Sequence, residues 1–212
     1  MGTPHLYGTP LSHFARKIRI VLAELEVPYE FLRAQTVLAT STAPFGDNPL
    51  MRVPTLVHDG VTVIESDHIA RYLVNVFDPK DRLGVRSEDI TDMNRLAVVS
   101  GIMDSEVVLL LAKRSGLTDP ERIGYFRKLQ LAIEGGLAWL DKDTDPAAGD
   151  FRYGDIALVC MWQHVLHYEV AKDVYPRIAA RVARFGGRPS VASTTPKASL
   201  EEAIAAGWTP PA

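Results

Sequence analysis

Asn48-Pro49-Leu50-Met51-Arg52-Val53-Pro54-Thr55-Leu56-Val57-His58-Asp59-Gly60-Val61-Thr62-Val63-Ile64-Glu65-Ser66-Asp67 decides the fold. Two short β-rich runs, Thr55 to His58 and Val61 to Ile64, flank Asp59-Gly60. That dipeptide tolerates the positive φ angles of a two-residue hairpin turn, so the stretch predicts a β-hairpin. Ser66 then offers a cap for a helix carrying Ile69, Tyr72, Leu73 and Val76 on one face. Ahead of the hairpin, residues 39–52 are rich in Ala, Thr, Ser, Pro and Gly and read as an irregular loop.

Further toward the N-terminus, His5-Leu6-Tyr7 reads as a strand. Residues 13–26 read as a helix, with Phe14, Ile18, Val21, Leu22 and Leu25 on one side and Ile20 and Ala23 on the other. Apolar residues on both sides predict burial on two faces. Pro28 stops the helix, and Tyr29-Glu30-Phe31-Leu32 forms the second strand. The order β-α-β-loop-β-β-α is that of one α/β layered domain, residues 1–77. Residues 78–87 are polar, with Pro79 and Gly84, and read as a linker. Beyond them strand signals cease. Residues 88–114, 119–141, 154–169 and 175–186 read as helices, the second opened by the capping-box pattern Thr118-Asp119-Pro120-Glu121. One more short helix is expected near Ser199–Ala206, so residues 88–212 form an all-α domain.

Bulk composition excludes several function classes. Of the 212 residues 47% are apolar and 23% charged, with a net charge of −3. No basic stripe marks a nucleic-acid surface, so no nucleic-acid partner is expected. Apolar stretches such as Val107 to Ala112 are too short to span a bilayer, so no membrane association is expected. The first residues lack a basic segment followed by an apolar one, so no secretory leader is expected. The single cysteine, Cys160, precludes a disulfide within the chain and fits a cytoplasmic location.

Val53-Pro54, the hairpin and then Glu65-Ser66, eleven residues beyond Pro54, give residues 1–77 a resemblance to the N-terminal, thioredoxin-like domain of cytosolic glutathione transferases. The resemblance implies a cis Val53-Pro54 bond that presents the Val53 backbone to the cysteine of glutathione, with Arg52, Val53 and Pro54 lining that side. It also implies that Glu65 and Ser66 hold the γ-glutamyl end. The chemistry is consistent with that role. A helix N-terminus carrying a hydroxyl suits an α-carboxylate, and a carboxylate suits an α-ammonium. Leu11-Ser12-His13-Phe14-Ala15-Arg16 resembles the serine-type branch, in which a hydroxyl stands four residues ahead of an arginine. Ser12 is then the catalytic residue, donating to the glutathione sulfur and favouring thiolate. It can equally cap the helix. His13 stands where many relatives have proline and is expected at the surface. Tyr7, the rival hydroxyl, is expected to pack. Without Cys-x-x-Cys at this turn, dithiol exchange is excluded, and glutathione as co-substrate brings the useful thiol.

The resemblance continues, more weakly, at Phe151-Arg152-Tyr153-Gly154-Asp155-Ile156, where Arg152 replaces the usual Ser or Thr cap and Asp155 is expected to be structural. His164 and His167 have metal-ligand spacing but no evident third ligand, so no metal is expected. Cys160 is expected to be a buried small hydrophobe. The implied function is transfer of glutathione to a small apolar electrophile, a detoxifying reaction, by a cytoplasmic homodimer. Two alternatives stand beside it: a non-catalytic binding or adaptor protein of the same fold, and a glutathione-dependent lyase or isomerase.

Overall fold

The computed structural model describes residues 2–171 and 174–209, with side chains for all of these except Glu121. In chain order the elements are β1 His5–Gly8, α1 His13–Glu24, β2 Glu30–Arg33, β3 Thr55–His58, β4 Val61–Ile64, α2 Ser66–Phe77, α3 Ile90–Arg114, α4 Gly124–Asp143, α5 Tyr153–His167, α6 Pro176–Phe185, α7 Pro189–Ala192 and α8 Pro196–Ala205. They form a thioredoxin-like α/β part followed by helices, the architecture of glutathione transferases. Among the described residues no helix is long and apolar enough to cross a membrane.

The chain divides into two compact units: the residues up to Arg86 together with those from Gly187 onward, and Ser87–Gly186. The C-terminal segment thus groups with the α/β unit, whereas the sequence division ran continuously from 88 to 212. The polar side chains of α1 supply the physical reason. Arg16 donates to Thr194 Oγ1 and to the Val191 carbonyl, each at 3.2 Å. Arg19 donates to Ser199 Oγ at 3.0 Å and to Glu202 at 2.6 Å, and its guanidinium lies 4.7 Å from the Phe31 ring. Glu24 accepts from Arg188 at 2.6 Å and from Ser190. Burial raises the Glu24 carboxyl, but the Arg188 and Ser190 hydrogen bonds outweigh it and hold the group below its usual value. Trp208 Nε1 donates to the Ala34 carbonyl at 3.3 Å. Buried guanidinium groups need such partners, and residues 188–208 provide them.

Within the first unit the sheet order is β2-β1-β3-β4. β1 and β2 are parallel, joined by α1, and β3 runs antiparallel to both β1 and β4. Asp59 and Gly60 have φ of 48° and 77°, as the expected two-residue turn requires. Leu6, Ile18, Val21, Leu22, Leu56, Ile69 and Leu73 are fully buried in this unit. A Cβ on Gly8 would lie 2.6 Å from the Phe31 ring and 2.9 Å from Ala15, so glycine permits the tight approach of α1 to the sheet. α1 ends at Glu24, before Pro28. Glu26 adopts φ 57°, and the Val27 N–H bonds the Leu22 carbonyl at 2.9 Å, a Schellman-type stop.

The second unit is helical. α5 is buried along nearly its whole length, including Ile156, Val159, Cys160, Met161 and Val165, so Cys160 is the buried residue expected. Asp155 binds Arg181 bidentately, at 2.7 and 3.0 Å, and accepts from the Arg152 backbone N–H at 3.0 Å. Its role is structural even though Arg152 has no side-chain hydroxyl. Pro120–Arg122 forms a separate 3-10 turn and α4 begins at Gly124, because Ile123 is extended, with φ −98° and ψ 122°. The expected cap at 118–121 does not open the helix, and the Glu121 side chain lies outside the described residues.

Candidate functional site

Strand register gathers three segments at one end of the sheet. Tyr7 pairs with Thr55, and Thr55 pairs with Ile64. The chain leaving β1 toward Ser12, the residues entering β3 through Pro54, and the residues leaving β4 at Glu65 therefore converge there. Two helix N-termini, those of α1 and α2, start from this end.

Ser12 is the N-cap of α1, with φ −68° and ψ 112°, and its Oγ accepts from the Ala15 N–H at 3.1 Å. An oxygen that accepts at a cap still has its own hydrogen to donate. Tyr7 is half-buried, and a Cβ on Gly46 would meet its ring at 2.7 Å, so the ring packs on the Gly46 backbone. The surface expectation for His13 is corrected. It is only 2% exposed, with its ring 4.6 Å from Phe14. Eight residues of α1 besides His13 are also buried, so the helix has little solvent-facing surface at its start.

The Val53–Pro54 peptide is cis. Val53 is half-buried, Pro54 buried and Arg52 exposed. The loop that carries them is held by Asn48, which sequence reading did not single out. The Asn48 side chain is 2% exposed. Its Nδ2 donates to the Arg52 carbonyl at 3.0 Å and to Thr55 Oγ1 at 3.2 Å, while its Oδ1 accepts from the Leu50 N–H at 2.9 Å. The Asn-Pro dipeptide was the available signal, because asparagine side chains commonly bond the backbone two residues on.

At the second helix, Glu65 rather than Ser66 is the N-cap. Its carboxylate accepts from the Asp67 and His68 N–H groups at 3.0 and 3.3 Å, and Ser66 is the first helical residue. A carboxylate serves better than a hydroxyl for two N–H groups, and it opposes the positive helix end. Ser66 Oγ donates to Glu65 Oε1 at 3.1 Å and is buried, while Glu65 is exposed. Glu65 adopts φ 73° and ψ 130°, a conformation that costs a non-glycine residue about 1–3 kcal/mol and concentrates at functional sites. Asp67 Oδ1 lies 2.6 Å from Nζ of Lys17, a fully buried lysine of α1.

The histidines weighed as metal ligands diverge. His164 is buried with Nδ1 2.7 Å from Glu106 Oε1, whereas His167 is exposed. Burial raises the Glu106 carboxyl above its usual value, partly opposed by His164.

Residues 6–81 match the glutathione S-transferase N-terminal domain family. The chain is 28% identical over 199 residues to a maleylacetoacetate isomerase of Mus musculus, covering 84% of this chain and 85% of that protein. It is 27% identical over 162 residues to glutathione S-transferase U6 of Arabidopsis thaliana, covering 74% and 71% of the two chains. Among solved structures, it is similar to a glutathione S-transferase from Methylobacterium radiotolerans in complex with glutathione sulfonate. The TM-score is 0.76 and the identity 26%, with 92% of this chain and 95% of that chain covered. The domain match, the two-part architecture and these likenesses agree: residues 6–81 form a glutathione S-transferase N-terminal domain, and the chain as a whole is similar to cytosolic glutathione transferases.

Proposed function

We propose that this protein binds glutathione at the end of the sheet where α1 and α2 begin, and activates it as a thiolate for attack on a small apolar electrophile. The carrying observation is the convergence, set by strand register, of Ser12, the 52–54 backbone and Glu65-Ser66 at one sheet end. Similar solved structures, one holding glutathione sulfonate and one from Methylobacillus flagellatus holding glutathione, support the choice of ligand. In this reading Ser66 meets the γ-glutamyl carboxylate and Glu65 the ammonium, while Arg52, Val53 and Pro54 align the cysteinyl backbone. Ser12 donates to the sulfur, and the α1 N-terminus adds its dipole, so the anion is favoured over the thiol. The second substrate is taken to be apolar, the protein a homodimer and its location cytoplasmic.

Relatives from Mus musculus and Drosophila melanogaster carry maleylacetoacetate isomerase names, which favours a second reading within the same chemistry. A thiolate that adds to a conjugated double bond and leaves after rotation isomerises the alkene and is regenerated. The first step is shared, and only the fate of the adduct differs.

Calorimetry with glutathione tests the binding assignment. Ser66→Ala and Glu65→Gln should each weaken binding by about 1.5–3 kcal/mol, the size of a charge-assisted contact. Unchanged affinity in both contradicts it. Product analysis separates the two reactions: consumed glutathione marks transfer, and recovered glutathione with a rearranged alkene marks isomerisation.

A further inference from the structure

Lys17 is fully buried, yet nothing in the proposed chemistry uses it. Its ammonium meets Asp67 Oδ1 at 2.6 Å, and the Asp67 side chain keeps 31% of its exposure. A lysine with no exposed surface carries a heavy desolvation cost that only a close, well-placed counter-charge offsets. The location of that counter-charge matters. Asp67 is in the first turn of α2, two residues from Glu65 and next to Ser66. Lys17 is on α1, five residues beyond Ser12. One part-buried ion pair therefore joins the helix that bears the proposed thiol activator to the helix that bears the proposed γ-glutamyl subsite.

The charges at the start of α2 sharpen the point. Two carboxylates lie within three residues, Glu65 and Asp67, and either could attract a ligand ammonium. Lys17 neutralises Asp67. Glu65 turns toward the Asp67 and His68 N–H groups and the Ser66 hydroxyl, held there by a backbone at φ 73°. The ammonium end of an α-amino acid is thus directed to Glu65, with Ser66 beside it for the carboxylate.

We infer that Lys17 is a positioning residue for the γ-glutamyl subsite, acting through Asp67 and touching no ligand itself. The inference rests on the proposed glutathione reading. It fixes the first turn of α2 against α1 and removes a competing negative charge.

The test is glutathione affinity of the full chain by calorimetry, with a double-mutant cycle. Lys17→Met should weaken binding about tenfold, and Lys17→Arg should recover most of that loss. Combined with Ser66→Ala, Lys17→Met should add less than twofold, because the residue it positions is already gone. If Lys17→Met does not fold, Asp67→Asn, at a part-exposed position, is predicted to give the same tenfold loss and the same non-additivity. A lysine that served the fold alone would lower the melting temperature and leave affinity intact, and that result overturns the inference. Equal losses with and without Ser66 also overturn it. Absence of binding by the unmodified chain overturns the glutathione reading and the inference with it. Wild-type binding that falls in Ser66→Ala but persists in Lys17→Met and Asp67→Asn overturns the inference alone.

Discussion

Met51 shows how a single residue departs from what its backbone prefers. Its φ is 50°, its side chain is 40% exposed, and it sits in the loop leading to Val53 and Pro54. Left-handed backbone costs an ordinary residue about 1–2 kcal/mol, and glycine escapes it at some cost in unfolded-state entropy. Met51→Gly should therefore stabilise the protein by about 0.5–1 kcal/mol, read as a higher denaturation midpoint with an unchanged slope. A lower midpoint would mean that the methionine side chain makes a contact worth more than the strain. The residue type alone does not reveal the left-handed turn at this position. His13 makes the opposite point. Next to a cap serine it reads as a surface residue, and only the packing around α1 reveals its burial.

At the scale of elements, what was legible was local. The hairpin 55–64 was read in full because alternation and Asp-Gly chemistry act over a few residues. The cap of α2 was misassigned to Ser66, because the positive φ of Glu65 cannot be seen in its type. The polar side of α1 was illegible for a different reason: Arg16 and Thr194 are 178 residues apart, and no local pattern announces such a partner. The Glu24 contact with Arg188 and Ser190 belongs to this set. Its carboxyl is held below the unfolded value, so its contribution is present above about pH 4.5 and fades as pH falls through the lower folded value. Glu24→Gln should cost about 1 kcal/mol at pH 7 and less near pH 3, by denaturant titration at the two values. In α3, Glu106 has the opposite sign. Its carboxyl is raised by burial, so stability falls as pH rises from about 4.5 through the folded value. Glu106→Gln should flatten that decline. A decline as steep in the variant as in the wild type assigns it to another group.

At the scale of the whole molecule, the register of β1, β3 and β4 is what brings the candidate site residues together. Any chain with this topology brings a helix start, a bend before β3 and a second helix start to one sheet end. The departures from the family pattern lie in side chains: His13 and Arg152. Assembly is a further expectation, and light scattering at micromolar concentration should give twice the 23.4 kDa chain mass; a monomer mass contradicts the homodimer.

The central claim is that glutathione is held as a thiolate by Ser12, and ultraviolet difference spectroscopy of the bound thiolate across pH tests it most directly. A hydroxyl bond to the anion lowers the thiol pKa, at about 1.4 kcal/mol for each unit. Bound glutathione should therefore titrate well below the free thiol. Ser12→Ala should move the transition upward and cut turnover near neutral pH, with the loss shrinking at high pH, and Tyr7→Phe should leave the transition in place. A transition that follows Tyr7 and ignores Ser12, or one that stays at the free-thiol value in the unmodified protein, would contradict the account.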